Sequence, residues 1–275
     1  MDYPIVDGRV QTRALEYHII DHCNLRCDHC CSYSPILKKW LADPADFRRD
    51  LTAVRRVVRP EFLKIVGGEP LLHPQLEELL VIAAELQVGA RIQLTTNGIL
   101  LDKLTPRSWD CIQMLSVSLY PEPSLPRALI RSVAREAARR NVEVSWKMQD
   151  KFTCLDRSTL ATVDEARETF AECWIRHRCN SIKDGRFYSC TRPQYVQKFA
   201  VDGQFFAEDG IPVHVDDAAW LAARIREHLR QAEPLHSCFL CNGGQAPVDT
   251  HRQLSPQSIR AKRDELVTLT ARLSQ

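Results

Sequence analysis

The sequence has no apolar run of the ~18–20 residues that a bilayer span needs. Its beginning, Met-Asp-Tyr-Pro-Ile-Val-Asp-Gly, carries neither a basic region nor an apolar stretch of signal-peptide length. An excess of charge of one sign is also missing. The 37 Lys and Arg stand against 35 Asp and Glu, for a net charge of +2, so nucleic acid and membrane are not expected partners. What the chain has in quantity is cysteine, 11 in 275 residues. Without a secretion signal, that number points to metal or catalytic use rather than to disulfides, and the expectation is a cytoplasmic protein. At 44% apolar and 26% charged residues the composition is that of an ordinary globular protein. The length allows one large core, or one core and a small appendage.

Cys23, Cys27 and Cys30 stand at a CxxxCxxC spacing directly after the short apolar segment Tyr17–Asp21. That spacing cannot be one face of a helix running through all three residues. It suits a loop that wraps its thiolates around one compact centre. Four thiolates make a full set for an iron–sulfur cluster, so three leave one iron open to an outside molecule. A structural zinc, the alternative, takes four protein ligands, and Cys31 is too close to Cys30 to be the obvious fourth.

Residues 1–16 read as a lead-in. Asp43-Pro44 reads as the cap and first residue of a helix reaching about Val58, with Phe47, Leu51, Val54 and Val58 at helical spacing. Phe62–Val66 is a short strand ended by Gly67-Gly68-Glu69-Pro70, and a helix follows from Pro74 to about Leu86. A strand from Ala90 to Thr96 closes on Asn97-Gly98. Met114–Leu119 is a strand, Ser124–Arg140 a helix and Val142–Met148 a strand. The five arginines of that last helix read as a solvated face, Glu136 being interleaved with them. Repeated strand and helix predict α/β architecture, with a parallel sheet curled into an open partial barrel. Ligands of such sheets bind beyond the carboxyl ends of the strands. The cysteine loop, Gly67–Pro70, Thr95–Gly98, and Ser116 with Ser118 all fall on that one rim.

After Asp164 the pattern changes. Cys173, Cys179 and Cys190 precede a Cys238-Phe-Leu-Cys241 pair. Lys183-Asp184-Gly185 predicts a hairpin turn, Asp216 caps a helix to about Gln231, and residues 252–275 read as one terminal helix. A hairpin, a helix and a CxxC can hardly bury a core unaided, and a bound centre would hold them together. A zinc ribbon is the alternative here.

The CxxxCxxC loop resembles the signature of the radical S-adenosylmethionine (radical SAM) enzymes, and Gly67-Gly68-Glu69-Pro70 resembles their GGEP element. His29 stands where that family usually has an aromatic residue. The resemblance implies that Cys23, Cys27 and Cys30 hold a 4Fe–4S cluster, whose free iron takes the amino and carboxylate groups of S-adenosylmethionine. It implies His29 near the adenine, and Gly67, Gly68, Glu69 and Pro70 at the methionyl amine. Thr95, Asn97 and Ser118 are candidates for the ribose or carboxylate. Cys173-x11-Gly185-x4-Cys190 with Cys238-x2-Cys241 resembles Twitch, the shortened form of the cysteine-rich SPASM extension. It implies a second, fully protein-held 4Fe–4S cluster on Cys173, Cys190, Cys238 and Cys241, with Cys179 the rival to Cys173. The expected layout is a radical SAM partial barrel over residues 1–165, a Twitch domain over 166–250 and a terminal helix over 251–275.

Size and layout are similar to Twitch enzymes acting on aminoglycoside and other aminocyclitol precursors. That implies a polyol, sugar or aminocyclitol substrate oxidised to a ketone, an electron passed to the second cluster, and a donor such as flavodoxin or ferredoxin. Lys147, Arg157 and Arg192 are candidate proton acceptors or substrate-holding groups. An epimerase would instead need a thiol to return hydrogen, and Cys154 is the candidate, with Cys111 and Cys179 also unassigned. Modification of a ribosomally made peptide and a zinc-stabilised binding protein are the other readings.

Overall fold

Polar residues alternate with apolar ones from Arg9 onward, and the alternation makes a strand. The computed structural model describes residues 2–200 and 203–274. β1 (Ile5–Val6) pairs antiparallel with β2 (Arg9–His18). The expected lead-in is thus mostly strand. Thr12, Glu16 and His18 are buried on β2 beside Leu15 and Tyr17, so it offers no clean apolar face. α1 (Pro44–Arg55) starts as expected, with the Asp43 carboxylate accepting from the Ala45 and Asp46 amides. Its buried Phe47, Leu51 and Val54 each contribute about 1.5–3 kcal/mol.

β3 (Val58–Val66) is longer than expected and α2 (Leu76–Leu86) starts later, after a 3-10 turn over Pro70–Leu72. β4 (Arg91–Thr96) is followed by a short helix that the sequence reading missed, α3 (Pro106–Cys111), capped by Thr105. β5 (Met114–Leu119), α4 (Arg127–Arg139) and β6 (Glu143–Met148) complete the series. β7 (Lys151–Thr153) leads to α5 (Val163–Glu172), which starts on a Thr162–Glu165 capping box.

The Asp184-Gly185 turn joins β8 (Ser181–Lys183) to β9 (Arg186–Tyr188) as expected. α6 (Arg192–Val196), α7 (Gly203–Ala207) and β10 (Gly210–Pro212) follow. α8 (Ala218–Arg230) is capped by Asp217 rather than Asp216. β11 (Val248–Thr250) pairs with β7, and α9 (Pro256–Leu273) starts later than expected because residues 248–254 are extended. Gln275, the end of the expected terminal helix, lies outside the described residues.

The main sheet runs β10-β9-β8-β2-β3-β4-β5-β6, with β1 beside β2. β2 to β6 are parallel neighbours in chain order, and the sheet is not closed. It is a mostly parallel α/β sheet of the radical SAM type. β8 pairs parallel with β2, so the hairpin extends the main sheet rather than forming one of its own. The largest apolar core joins this sheet to α1, α2 and α8. A second cluster seats Leu266 and Leu269 of α9 against Tyr33, Tyr195 and Phe199. No helix among the described residues is long and apolar enough to cross a membrane.

Candidate active site and its two cysteine groups

The carboxyl ends of β2 to β6 open on one cavity of about 410 Å³. Cys23, Cys27, Cys30 and His29 line it, with Gly67 and Gly68, Thr95 and Asn97, Ser118, Lys147 and Arg192. Six separate sequence segments thus meet where the parallel-sheet argument puts a ligand.

The three thiols sit close enough to repel one another as anions. Burial pushes Cys23 up to about 12, with Cys30 adding to the effect. Burial also pushes Cys27 up to about 12, with Cys30 and Cys23 adding. Such thiols keep their protons until a cationic centre replaces them. A structural zinc takes four protein ligands, and this loop brings three thiols to the cavity. A cluster spreads its thiolates over separate irons, and three thiols facing one cavity fit that group. His29 holds a left-handed turn, φ +54°, between Cys27 and Cys30.

The two glycines serve the loop as well as the cavity. A Cβ on Gly67 would lie 2.4 Å from the Ile20 carbonyl oxygen, and one on Gly68 2.1 Å from that of His22. Their absence lets the end of β3 lie directly on the chain entering the cysteine loop, where the Gly68 amide donates to Ile20 O at 2.7 Å. Glu69 departs from expectation. It is fully buried and does not line the cavity. Its carboxylate accepts from Leu71 N, Thr96 Oγ1 and Asn97 N at 3.0, 2.7 and 2.7 Å. Burial raises its pKa against those three hydrogen bonds. It braces the β3 and β4 ends, and the methionyl amine is left to backbone acceptors. Pro70 is buried behind it and does not line the cavity either. Asn97 Nδ2 donates to Asn24 Oδ1 at 2.7 Å and approaches Cys23 Sγ at 3.6 Å, so it ties β4 to the cysteine loop.

The cavity also holds polar residues that no motif announced. Glu16 pairs with Lys64 at 3.1 Å and with His18 at 3.3 Å. Burial pushes the Glu16 carboxyl up, but His18 and Lys64 outweigh it and hold its pKa below the usual value. Lys147 is lowered by burial and by nearby Lys64. The only available signal for Glu16 was its alternation with Thr12, Ala14 and His18 along β2.

The second group assembles from α5, β9 and the 3-10 turn His236–Leu240. Burial, then Cys173 and Cys241, push the Cys190 thiol up. Burial, then Cys190 and Cys241, do the same to Cys238. The four are thus near neighbours, and none lines the cavity. Cys190, Cys238 and Ile175 pack with Phe170 and Leu235. Gly243, φ +72°, turns the chain so that its amide donates to Cys241 Sγ at 3.3 Å. Cys179 differs in lining the cavity, near Glu16 and Lys64, while still close enough to Cys190 for that thiol to act on it.

Two arginines and one thiol do not stand where expected. Arg157 does not line the cavity. Its guanidinium donates to Cys241 O and Thr169 Oγ1 at 3.1 and 3.2 Å. Arg192 borders the cavity, but it donates to Asp156 Oδ1 at 2.6 Å and lies over the Tyr33 ring. Arg157 is thus held by the second cysteine group and Arg192 by Asp156 and Tyr33. Cys154 also does not line the cavity; its Sγ lies 3.7 Å from His29 Nε2. Arg157 and Cys154 lie in a short irregular connection, where neither strand nor helix period fixes the side-chain direction.

Residues 17–119 match the family model described as Radical SAM superfamily. The chain carries a radical SAM domain. Curated relatives match over a similar length of chain. The GTP 3',8-cyclase of Microcystis aeruginosa is 34% identical over 110 residues, 38% of this chain and 33% of that protein. That of Mycobacterium marinum is 37% identical over 109 residues, 37% of this chain and 29% of that protein. The chain thus aligns with about a third of the length of these relatives, and they are cyclases rather than the expected aminocyclitol dehydrogenases. Among solved structures, BtrN in complex with AdoMet and 2-DOIA is 18% identical, covering 86% of this chain and 94% of that one at a TM-score of 0.48. Native anSMEcpe with bound AdoMet is 12% identical, covering 95% and 98% at 0.48.

Proposed function

We propose that the chain is a radical SAM oxidoreductase that converts a carbinol of a small polyol, sugar or aminocyclitol to a ketone. The observation that carries this reading is the second thiol set, in which Cys173, Cys190, Cys238 and Cys241 are near neighbours away from the cavity. Four thiolates cap every iron of a 4Fe–4S cluster, which suits an electron acceptor and leaves no iron for substrate. Bound there, S-adenosylmethionine and the two clusters would supply the one-electron redox chemistry, with flavodoxin or ferredoxin as the outside electron source.

The chain's own residues bind and orient. Cys23, Cys27 and Cys30 hold the first cluster. Carbonyls at Gly67 and Gly68 receive the methionyl amine, Thr95 and Ser118 offer hydroxyls to ribose or carboxylate, and His29 borders the adenine side. Lys147 accepts the hydroxyl proton, and burial with Lys64 nearby favours its neutral form more than in a solvated lysine. Glu16 and Lys64 hold the substrate's hydroxyls or amines.

One observation favours a second reading, epimerisation. Cys179 opens into the cavity and would return a hydrogen atom to the opposite face, a role that Cys154 is not placed to fill. The test is anaerobic reconstitution and incubation with S-adenosylmethionine, a reductant and a panel of polyols and aminocyclitols, with GTP included because the curated relatives are GTP 3',8-cyclases. Products are identified by mass and stereochemistry. A ketone formed one-for-one with 5′-deoxyadenosine supports the proposal. An inverted alcohol that Cys179→Ala abolishes favours the epimerase. Cyclised GTP, or no 5′-deoxyadenosine from any substrate, overturns both.

A further inference from the structure

The chain returns to the cysteine loop from its far end. Residues 252–254 run against residues 26–28: Cys27 bridges Gln253, the Asp28 amide donates to Arg252 O at 2.9 Å, and the Leu254 amide donates to Arg26 O at 2.7 Å. Asp28 is held by Arg252 and Lys262 at 2.6 and 2.9 Å. This clasp brings two nitrogens to one sulfur. His251 Nε2 lies 3.2 Å from Cys27 Sγ and Gln253 Nε2 3.7 Å from it, and the two nitrogens are 3.2 Å apart. His251 donates to the sulfur in the Nε2–H tautomer, which a Cys27 thiolate selects, with the Gln253 NH2 also aimed at that sulfur. The Gln253 orientation is fixed, because its Oε1 accepts from the Arg26 amide at 2.6 Å and so turns the NH2 toward the sulfur. The His251 ring is fixed too, lying against Tyr120 and Phe152 with centroids 4.9 and 5.5 Å apart.

From this arrangement we infer that His251, supported by Gln253, is a positioning residue for the first cluster: its Nε2–H donates to the Cys27 thiolate and raises the reduction potential of the iron centre that Cys27 ligates. A thiol bound to iron has lost its proton and gained acceptor strength. An N–H aimed at it withdraws electron density and stabilises the reduced, more negative cluster. Hydrogen bonds to ligand sulfurs are among the levers that set cluster potentials. Raising the potential makes reduction by an outside donor easier. The inference rests on the radical SAM reading, since it requires a cluster on Cys27.

The test uses the anaerobically reconstituted full chain in a redox titration followed by electron paramagnetic resonance. The first cluster is recognised by the change S-adenosylmethionine causes in its reduced signal. His251→Phe keeps the ring against Tyr120 and Phe152 but removes the donor, and its midpoint is expected to move to a more negative potential. Gln253→Ala should move it less in the same direction, and His251→Asn, which keeps an N–H, should restore much of the wild-type value. A midpoint unchanged in His251→Phe overturns the inference, as does an equal shift in His251→Phe and His251→Asn, which would mark mere disruption of the clasp. Where His251→Phe fails to hold its cluster, an unshifted Gln253→Ala overturns it. Wild-type protein lacking any signal sensitive to S-adenosylmethionine would sink the radical SAM reading itself, a separate outcome.

Discussion

The two cysteine groups are built on opposite plans. Cys23, Cys27 and Cys30 sit on one eight-residue stretch and border an open cavity. Cys173, Cys190, Cys238 and Cys241 come from three places in the chain and lie near one another away from it. Three local thiols around a cavity leave a corner for a guest. Four distant thiols closed in by Phe170 and Leu235 leave none. An ionic chain joins the plans: Asp28 to Lys262 at 2.9 Å, Lys262 to Asp156 at 3.3 Å and Asp156 to Arg192 at 2.6 Å, beside Cys241. The difference is one of number and access: three thiols bordering a cavity leave room for a guest that four thiols away from it do not.

The largest expected effect breaks the comparison outright. Replacing Cys23, Cys27 and Cys30 together by Ala should reduce 5′-deoxyadenosine formation to background while iron falls from about eight to about four per chain. Replacing Cys238 and Cys241 should remove a similar amount of iron yet leave cleavage of S-adenosylmethionine measurable. If iron analysis and nucleoside assay cannot tell the two variants apart, the groups do not have distinct roles. Membership of the closed group is sharpened by single changes: Cys173→Ala should lose iron and Cys179→Ala should retain it, and the reverse result would exchange the two assignments.

A smaller effect tests the loop contact under the open group. Gly68→Ala puts a Cβ against the His22 carbonyl, so the unloaded protein should lose about 1–3 kcal/mol in a denaturant titration. A stability equal to wild type would show that the contact is loose. The smallest effect concerns pH. Burial lowers His228 on α8 from 6.5 to about 4, and its Nε2 has no partner among the described residues. Between those values the unfolded chain takes up a proton that the folded one refuses. Stability is therefore complete above 6.5 and is lost as pH falls toward 4, by about 2 kcal/mol at about pH 5. His228→Leu should lose less over that window, and an equal loss in both proteins would remove His228 as the cause.

How much was legible varies with how local each feature is. The caps at Asp43 and the Asp184-Gly185 turn act within a few residues and could be read directly. So could the convergence of four loops on one rim, since parallel β-α units put successive strand ends together. β2 was under-read because a strand lining a polar cavity buries Glu16 and His18 where a core strand buries leucines. Glu69 sits in a legible motif, but its direction was not legible. The buried amides of Leu71 and Asn97 need an acceptor, and that need turned it away from the cavity.

The sequence by itself determined the chemistry of the ligands and the rim on which they stand, because thiol spacing and strand-end position are short-range properties. Only the tertiary structure decided that Cys179 lines the cavity while Cys173, Cys190, Cys238 and Cys241 do not. It alone brought His251 to Cys27 across 224 positions. Contacts of that span follow from how sheet, helices and tail pack together, and no local pattern of residues carries them.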